Sequence, residues 1–352
     1  TETAANKWRS LMCGLFLLPY GPGVILLALL ASLFRNATKL QLVISFPSAL
    51  LLIFTRYIFH LVLLLISRFI QESPIWLLDH RMRDSAENVL KIAAKFNKHH
   101  VPSSFHIRTV ENLKVREKAP SNPNVFQLFK TPALCKETVT LCMLWSVTSF
   151  SYAYLFFYYS ISHQELHLNV IIAGGLVFVA LICSCLCVCK FQHGRLILSQ
   201  LLTTGVLALI ALFFASEQNT DTVYHVLLLT ALVTSAMSLS TLWNYTPRVF
   251  PTLLRGTGFG LCTMMGNAAS IFTLVFIIDD SSATIPLGCV GVSCVLASVW
   301  VCLLPQVQGR ELPETIMDTE RFKSHSKPVR WTIARPLSAS IEETEIRTTY
   351  YE

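Results

Sequence analysis

The sequence predicts an all-α membrane protein with about eight transmembrane helices, and three observations lead to this fold class. Apolar residues make up 53% of the 352 residues, and the mean hydropathy is +0.53. Charged residues make up only 14%, against roughly 25% in soluble domains. Eight stretches reach the length of about 20 predominantly apolar residues that a helix needs to cross a bilayer. A globule of this size cannot bury so much apolar surface, so we expect lipid to surround most of the chain.

The predicted spans follow one another closely except in one place. They cover residues 11–33, 40–66, 135–158, 168–189, 196–216, 223–246, 256–278 and 284–304. A polar segment separates the second span from the third, and a polar tail follows the eighth. The other connections are short, so we expect consecutive helices to be antiparallel neighbours.

The positions of the basic residues predict the orientation. The net charge is +7, and with a cytoplasmic N-terminus 25 of the 28 Lys and Arg residues lie on the cytoplasmic side. The opposite orientation would place nearly all of them outside, against the positive-inside rule. The net charge therefore reflects membrane topology, and no nucleic-acid partner is needed to explain it. We expect the C-terminus to be cytoplasmic.

The polar segment between the second and third spans predicts amphipathic helices along the cytoplasmic face. Apolar residues recur there at helical spacing after the candidate caps Asp84 and Ser85, and a weaker run contains Leu113 and Val115. These helices either dock a partner or form a linker packed under the membrane domain. The tail after Pro313 is rich in Ser and Thr and mixed in charge, which predicts disorder.

Four motifs occur in a fixed order between the spans. ESPIWLL at 72–78 follows the second span, and AENVLKIAAKFNK at 86–98 lies in the polar segment. FPT at 250–252 precedes RGTGFG at 255–260, and LPET at 312–315 follows the last span. In order and spacing these strings resemble signatures of the organic cation/anion transporters, a branch of the major facilitator superfamily.

The resemblance implies a major facilitator fold of twelve spans, of which this chain holds spans five to twelve. Residues 1–70 would then carry the last two helices of the N-terminal bundle and residues 71–134 a cytoplasmic linker. Residues 135–305 would form the C-terminal six-helix bundle, and residues 306–352 the disordered tail. The chain begins with Thr1, so we expect the four missing N-terminal helices in a full-length chain.

The function that the resemblance implies is transport of small organic anions, cations or zwitterions by alternating access in the plasma membrane. The expected surroundings are membrane lipid, and no cofactor is predicted. The alternative is a non-transporting truncated or splice-variant membrane protein that binds a ligand or a partner. The eleven cysteines fall in or beside apolar runs rather than forming a disulfide framework. No catalytic or metal-ligating constellation stands out, so we do not expect an enzyme.

An aromatic and hydroxyl stripe on the third span is the candidate substrate surface. Its members share one helical face and are Trp145, Thr148, Ser149, Tyr152 and Phe156. Rings suit stacking or cation–π contact with flat organic substrates, and hydroxyls suit their orientation. The family places Trp and Tyr seven residues apart on this helix, and Trp145 and Tyr152 match. The alternative is a stripe that only packs against neighbouring helices.

Asn267 is the candidate residue for substrate charge. It lies near the middle of a span otherwise without strongly polar groups, where an amide needs a partner. By the resemblance it occupies a position with Asp in cation transporters and Arg in anion transporters. A neutral amide favours a neutral or zwitterionic substrate, or lost transport; helix–helix hydrogen bonding is the alternative. No Asp, Glu, Lys or Arg is expected in the membrane interior of spans 135–304, so no proton-relay carboxylate is predicted there.

Candidate gating residues lie at the inner membrane face. Gly256, Gly258 and Gly260 predict close approach of a neighbouring backbone, and Arg255 is either a gate residue or a positive-inside anchor. Two further candidates are Arg248 and Glu72. Arg248 stands where the family has an acid, whereas Glu72 keeps the acid of the first motif. The Arg of that motif is replaced by Ile75, and the second span is extended by residues that include Arg56 and His60. Nothing in the sequence explains this extension.

Overall fold

The computed structural model describes residues 6–47, 49, 72–74, 77, 82–98, 124–161, 165–214, 221–278, 284–305, 307 and 313. These residues form helices and connecting turns, with no strand among them. In chain order the helices are α1 (Asn6–Leu15), α2 (Tyr20–Leu33), α3 (Arg83–Phe96), α4 (Pro132–Ile161), α5 (Leu166–Lys190), α6 (His193–Phe214), α7 (Asp221–Val249), α8 (Arg255–Ile278) and α9 (Thr284–Trp300). Residues 37–47 are also helical. The chain divides into two compact units, one of residues 1–71 and 122–325 and one of residues 72–121 and 326–352.

The helical spans predicted from apolar runs are confirmed over most of the first unit. Seven helices among the described residues are long and apolar enough to cross a membrane, the first being Ser10–Leu33 and the last Ile285–Leu303. The predicted span 40–66 is helical over residues 40–47 and then passes outside the described residues. Helix α4 begins at Pro132, three residues before the predicted span, and ends at Ile161, three residues after it.

Helix packing in the first unit follows sequence order only in part. Helix α4 packs against α7 and α8, and α6 packs against α7 and α9. Helices α1 and α2, from the N-terminal part of the chain, pack against α5. The α6–α9 contact depends on Gly205, where an added Cβ would lie 2.9 Å from the backbone oxygen of Gly291. Small residues on facing helices permit such close approach in membrane bundles.

Polar side chains inside this unit are satisfied mainly by their own helices. The hydroxyls of Thr138 and Thr246 donate to backbone oxygens four residues earlier, at 2.7 and 2.8 Å. A hydroxyl bonded in this way adds no unsatisfied donor to an apolar interior. Between helices, the Thr241 hydroxyl donates to Gln200 Oε1 at 3.0 Å and lies 3.4 Å from the Ser184 hydroxyl. These contacts join α5, α6 and α7.

The second unit contains the amphipathic helix predicted after Asp84, and this prediction is confirmed by α3. The predicted caps are wrong, because the helix already begins at Arg83 and Met82 is its N-cap residue, without a side-chain cap bond. Asp84 instead lies in the first turn, where a negative charge is favourable to the helix dipole. The second predicted run, with Leu113 and Val115, lies outside the described residues, as does the tail beyond Pro313.

Candidate functional site

Trp145 stands at the centre of an aromatic cluster that joins three helices. Its indole nitrogen donates to the Thr246 hydroxyl on α7 at 2.9 Å, and its side chain is only 3% exposed. Its ring meets Trp243 of α7 at 5.5 Å and Phe259 of α8 at 5.9 Å, both edge to face. Trp243 and Phe259 are themselves 4.9 Å apart. We call Trp145, Trp243 and Phe259 the aromatic cluster; its two further rings were not among the predicted site residues.

The two predicted hydroxyl residues of the stripe lie in the helix packing. Thr148 is fully buried, and its hydroxyl donates to the backbone oxygen of Leu144 at 2.6 Å. Ser149 is buried against α8, where a Cβ added to Gly266 would lie 2.7 Å from the Ser149 oxygen. This part of the predicted stripe therefore contacts neighbouring helices.

Tyr152 and Phe156 are half-buried, and Tyr152 contacts α2. The Tyr152 hydroxyl donates to the Tyr20 hydroxyl at 3.2 Å, and the two rings are 6.4 Å apart. The Phe156 ring lies 6.0 Å from the Tyr152 ring. We call Tyr20 and Tyr152 the tyrosine pair. Tyr20 was missed because nothing in an apolar run shows which residues of one span face another; its position beside Pro19, Gly21 and Pro22 marks a helix start and no more.

Asn267 is exposed on α8. It makes no hydrogen bond to any residue in the described part of the chain, so the helix–helix bond considered as the alternative role of its amide is not formed there. The neighbouring Gly266 points toward α4, whereas Asn267 lies one residue further around the helix. The structure therefore brings Trp145 and Ser149 to α8 and Tyr152 to Tyr20, with Phe156 beside Tyr152, while Asn267 joins neither group.

Both predicted gate arginines are buried at one end of the first unit, which we call the arginine end. Arg248 Nη2 donates to the Ser10 hydroxyl at 2.8 Å, which joins α7 to α1. Arg255 Nη2 donates to the Thr252 hydroxyl at 3.4 Å. The Thr252 nitrogen donates in turn to the Pro313 oxygen at 3.2 Å, so the third and fourth sequence motifs meet here. Ser10 was not predicted as a partner of either arginine.

Two titratable residues that the sequence analysis missed are also buried at the arginine end. Glu137 and His193 are each 2% exposed. The His193 ring lies 6.4 Å from the Tyr245 ring, and the Tyr245 hydroxyl donates to the Pro305 oxygen at 2.7 Å. Glu137 lies near the start of the predicted span 135–158, and the structure buries its side chain there. Its place near a predicted span boundary gave no indication of burial, because hydropathy cannot distinguish a helix end in water from one covered by neighbours.

The three predicted glycines differ in their surroundings. A Cβ added to Gly256 or Gly260 would meet no described atom within 4 Å, which differs from the close backbone approach expected there. At Gly258 an added Cβ would lie 2.8 Å from the Phe250 ring, so this glycine accommodates a neighbouring side chain. Glu72 is exposed and belongs to the second unit. Ile75, Arg56 and His60 lie outside the described residues.

The cysteines provide no metal centre of the usual kind. All eleven are free thiols. Among the residues with described positions, no group of three or more His, Cys, Asp or Glu side chains is placed to hold a metal ion. The closest pair of thiols is Cys142 on α4 and Cys262 on α8, whose sulfurs are 3.9 Å apart.

Comparison with known proteins indicates a transporter family, as the four sequence motifs do. The family model described as Sugar (and other) transporter matches residues 1–316. Solute carrier family 22 member 13 of Homo sapiens is 27% identical over 321 residues, which cover 91% of this chain and 55% of that protein. Member 1 of Oryctolagus cuniculus is 25% identical over 330 residues, covering 93% and 56%, and member 7 of Rattus norvegicus is 27% identical over 317 residues, covering 87% and 55%. The chain thus spans a little over half the length of these relatives.

The match to one transporter family covers most of the chain, and the relatives lie in one solute carrier family. The resemblance drawn from the four motifs, and with it the all-α major facilitator fold class, is therefore confirmed. Within this fold, the chain belongs to the Sugar (and other) transporter family.

Proposed function

We propose that this chain is part of a secondary carrier that moves small organic anions, cations or zwitterions across the plasma membrane by alternating access. The family and the seven apolar helices support a multi-pass membrane transporter. In such carriers the substrate binds near the midplane, between two helical bundles that rock against each other. The described helices include α1 and α2 from the N-terminal part of the chain and α4 to α9 from the C-terminal part. A contact between helices of these two parts is therefore the expected location of the site.

The tyrosine pair is the observation that carries this proposal. Tyr152 lies on α4 of the C-terminal part, and Tyr20 lies on α2 of the N-terminal part. Their hydroxyls meet at 3.2 Å, and Tyr20 is 50% exposed. A half-buried pair of rings offers apolar faces for a flat substrate and two hydroxyls for its polar groups. A substrate that enters between them would replace one weak hydroxyl–hydroxyl bond, so the pair can open at small cost.

The aromatic cluster is the proposed second part of the substrate surface. Trp145 is held by Thr246 at 2.9 Å and by two edge-to-face rings. Trp243 is 37% exposed, so one ring of the cluster remains accessible. Ring faces attract cations and stack on aromatic substrates. Asn267, exposed and uncharged, supplies neither sign of charge, which supports a neutral or zwitterionic substrate.

The arginine end is the proposed cytoplasmic gate. By the positive-inside rule the end of the bundle with Arg248 and Arg255 faces the cytoplasm, together with the C-terminus. The Arg248–Ser10 bond joins the two parts of the chain there, at 2.8 Å. A rocking motion that opens this end has to break that bond. The buried arginine and its hydroxyl partner thus favour the state in which the cytoplasmic side is closed.

Uptake into proteoliposomes tests the carrier directly. The full-length protein that contains this chain is reconstituted. It is supplied with three labelled aromatic probes, namely a monocarboxylate, a quaternary ammonium and an amino acid zwitterion. We expect saturable uptake of at least one probe, lost in Tyr152→Ala. The matched control is Tyr158→Ala, because Tyr158 forms a similar hydroxyl pair with Tyr224 at 3.1 Å. Saturable binding of a probe without uptake, or equal losses in both variants, would contradict the proposal.

A further inference from the structure

Helix α3 carries apolar side chains on two sides. On one side Ala86 is fully buried, and Leu90 and Ala94 are half-buried. On another side Ile92 and Phe96, which lie one helical turn apart, are 53% and 88% exposed. We call these two residues the exposed pair. The first side is covered by the chain itself, whereas the exposed pair presents apolar surface to the surroundings.

Lysines border the exposed pair along one edge. Lys91 and Lys95 each directly precede a residue of the pair, so both lie at the same offset around the helix. Lys98 follows the end of the helix and is exposed. None of the three forms a side-chain ion pair with a residue whose position the structure describes. Their charges are therefore available to a partner that also covers the exposed pair.

The polar segment around α3 has the charge of a membrane-surface segment. Residues 68–136 carry twelve Lys and Arg against six Asp and Glu, a net charge of +6. The positive-inside rule predicts that this segment lies on the cytoplasmic side. The cytoplasmic leaflet contains anionic lipids, which attract Lys and Arg side chains near its surface. The charge of the segment is thus complementary to that of the leaflet.

The chain also ties α3 to the bilayer at both ends. The predicted span 40–66 precedes it, and α4, which is long and apolar enough to cross a membrane, follows it. A tethered helix meets the membrane surface at a high effective concentration, whereas a separate acidic protein has to bind from solution. Helices with basic residues on one side and Phe or Leu on another lie in the bilayer interface, with the apolar side at the acyl-chain boundary.

We propose that α3 binds the anionic surface of the cytoplasmic leaflet. Ile92 and Phe96 enter the boundary between headgroups and acyl chains, and the three lysines contact lipid phosphates and carboxylates. The position of the polar segment then depends on the lipid composition of the membrane. This binding goes beyond the proposed transport, and it can be measured on the protein without any substrate.

Hydrogen exchange of the α3 amides in nanodiscs tests this binding. The full-length protein that contains this chain is placed in discs of phosphatidylcholine alone, and in discs in which phosphatidylserine replaces part of that lipid. We expect phosphatidylserine to slow exchange in residues 83–98 by at least about tenfold, because a helix bound to a surface opens less often. High salt should remove the slowing, since it screens the attraction between exposed charges.

Two variants separate the exposed pair from general attraction to the surface. Phe96→Ser removes the more exposed apolar side chain and should abolish the slowing caused by phosphatidylserine. The matched control is Phe126→Ser, because Phe126 is 84% exposed in the same polar segment but lies outside α3. Exchange in residues 83–98 of this control should slow as in the wild type.

Three results would overturn the lipid site. Equal exchange rates of wild-type α3 in both kinds of disc would mean that anionic lipid does not bind it. Slow exchange in both kinds of disc and in detergent, unaffected by salt, would mean that protein covers the exposed pair. Slowing that persists in Phe96→Ser would exclude insertion of the exposed pair into the bilayer.

Discussion

Arg248 Nη2 donates a hydrogen bond of 2.8 Å to the Ser10 hydroxyl, and both side chains are buried. The bond joins residues 238 positions apart in the chain and connects α7 to α1. Arg248 is a basic residue in a position where the organic cation/anion transporters that the motifs resemble have an acid. The structure shows that this arginine has a neutral partner on the other part of the chain. The Ser10 hydroxyl is therefore a contact through which Arg248 ties α7 to α1.

Removing the Ser10 hydroxyl should destabilise the folded protein. In Ser10→Ala a buried guanidinium loses one acceptor, and an unsatisfied buried donor costs about 1–3 kcal/mol. We expect a lower midpoint of thermal unfolding in detergent micelles. The matched control is Ser32→Ala, because the exposed Ser32 hydroxyl bonds only to the backbone oxygen of Leu29. Equal midpoints for the two variants would show that the Arg248–Ser10 bond contributes nothing to stability.

The Trp145–Thr246 hydrogen bond supports a second prediction. Thr246→Val keeps the shape of the side chain but leaves the buried indole N–H without its 2.9 Å acceptor. The expected loss is about 1–3 kcal/mol of unfolding free energy, with a change in tryptophan fluorescence as the ring moves. Thr230→Val is the control, since Thr230 is exposed on the same helix and its hydroxyl bonds only to backbone oxygens. A fluorescence change of the same size in Thr230→Val would argue against the role given to Thr246.

The spans and the family were predictable because both depend on local sequence. A run of about 20 apolar residues is sufficient to predict a crossing helix. Motifs with fixed residues, such as FPT at 250–252 and LPET at 312–315, identify the family before any contact is known. The hydrogen bond that joins these two motifs, from the Thr252 nitrogen to the Pro313 oxygen at 3.2 Å, could not be predicted from the motifs and is seen only in the structure.

The candidate site was predicted less completely because it depends on which face of each helix meets a neighbour. In an apolar helix every face is apolar, so hydropathy does not predict how the helix is rotated about its axis or which face meets a neighbour. Thr148 and Tyr152 were assigned to one stripe, yet Thr148 is fully buried while Tyr152 meets Tyr20. The burial of Glu137 and His193 was missed for the same reason, because it results from neighbouring helices rather than from their own sequence.

The hydroxyl contact of the tyrosine pair leads to a third prediction, which rests on the proposed transport. Tyr20→Phe and Tyr152→Phe each remove one hydroxyl but keep the ring. We expect each to raise the KM for uptake several-fold, up to about tenfold for a lost bond of 1.4 kcal/mol, with little change in unfolding temperature. Tyr158→Phe removes a hydroxyl from the corresponding pair with Tyr224 and should leave KM unchanged. A similar KM in Tyr152→Phe and wild type would exclude the hydroxyl from substrate binding.

Charge at position 267 should alter substrate preference. Asn267 is exposed and has no described hydrogen-bond partner, so Asn267→Asp and Asn267→Arg can be introduced without leaving another group unsatisfied. We expect Asp to favour uptake of the quaternary ammonium probe over the monocarboxylate, and Arg to favour the reverse, because opposite charges attract across a site of low dielectric constant. Asn267→Gln is the neutral control. If both charged variants keep the wild-type ratio of the two probes, Asn267 does not contact the substrate.

Two glycines on α8 allow the packing of α4 to be tested separately from helix propensity. In Gly266→Ala the new Cβ would lie 2.7 Å from the Ser149 oxygen and 3.2 Å from Trp145, so α4 and α8 have to separate or rearrange. Overpacking of this kind typically costs about 1–3 kcal/mol. In Gly260→Ala the Cβ meets no described atom within 4 Å, and alanine favours the helix by up to about 1 kcal/mol. Thermal unfolding should therefore place Gly266→Ala below wild type and Gly260→Ala at or above it. The opposite order would mean that Gly260, rather than Gly266, marks the close approach of a neighbouring helix.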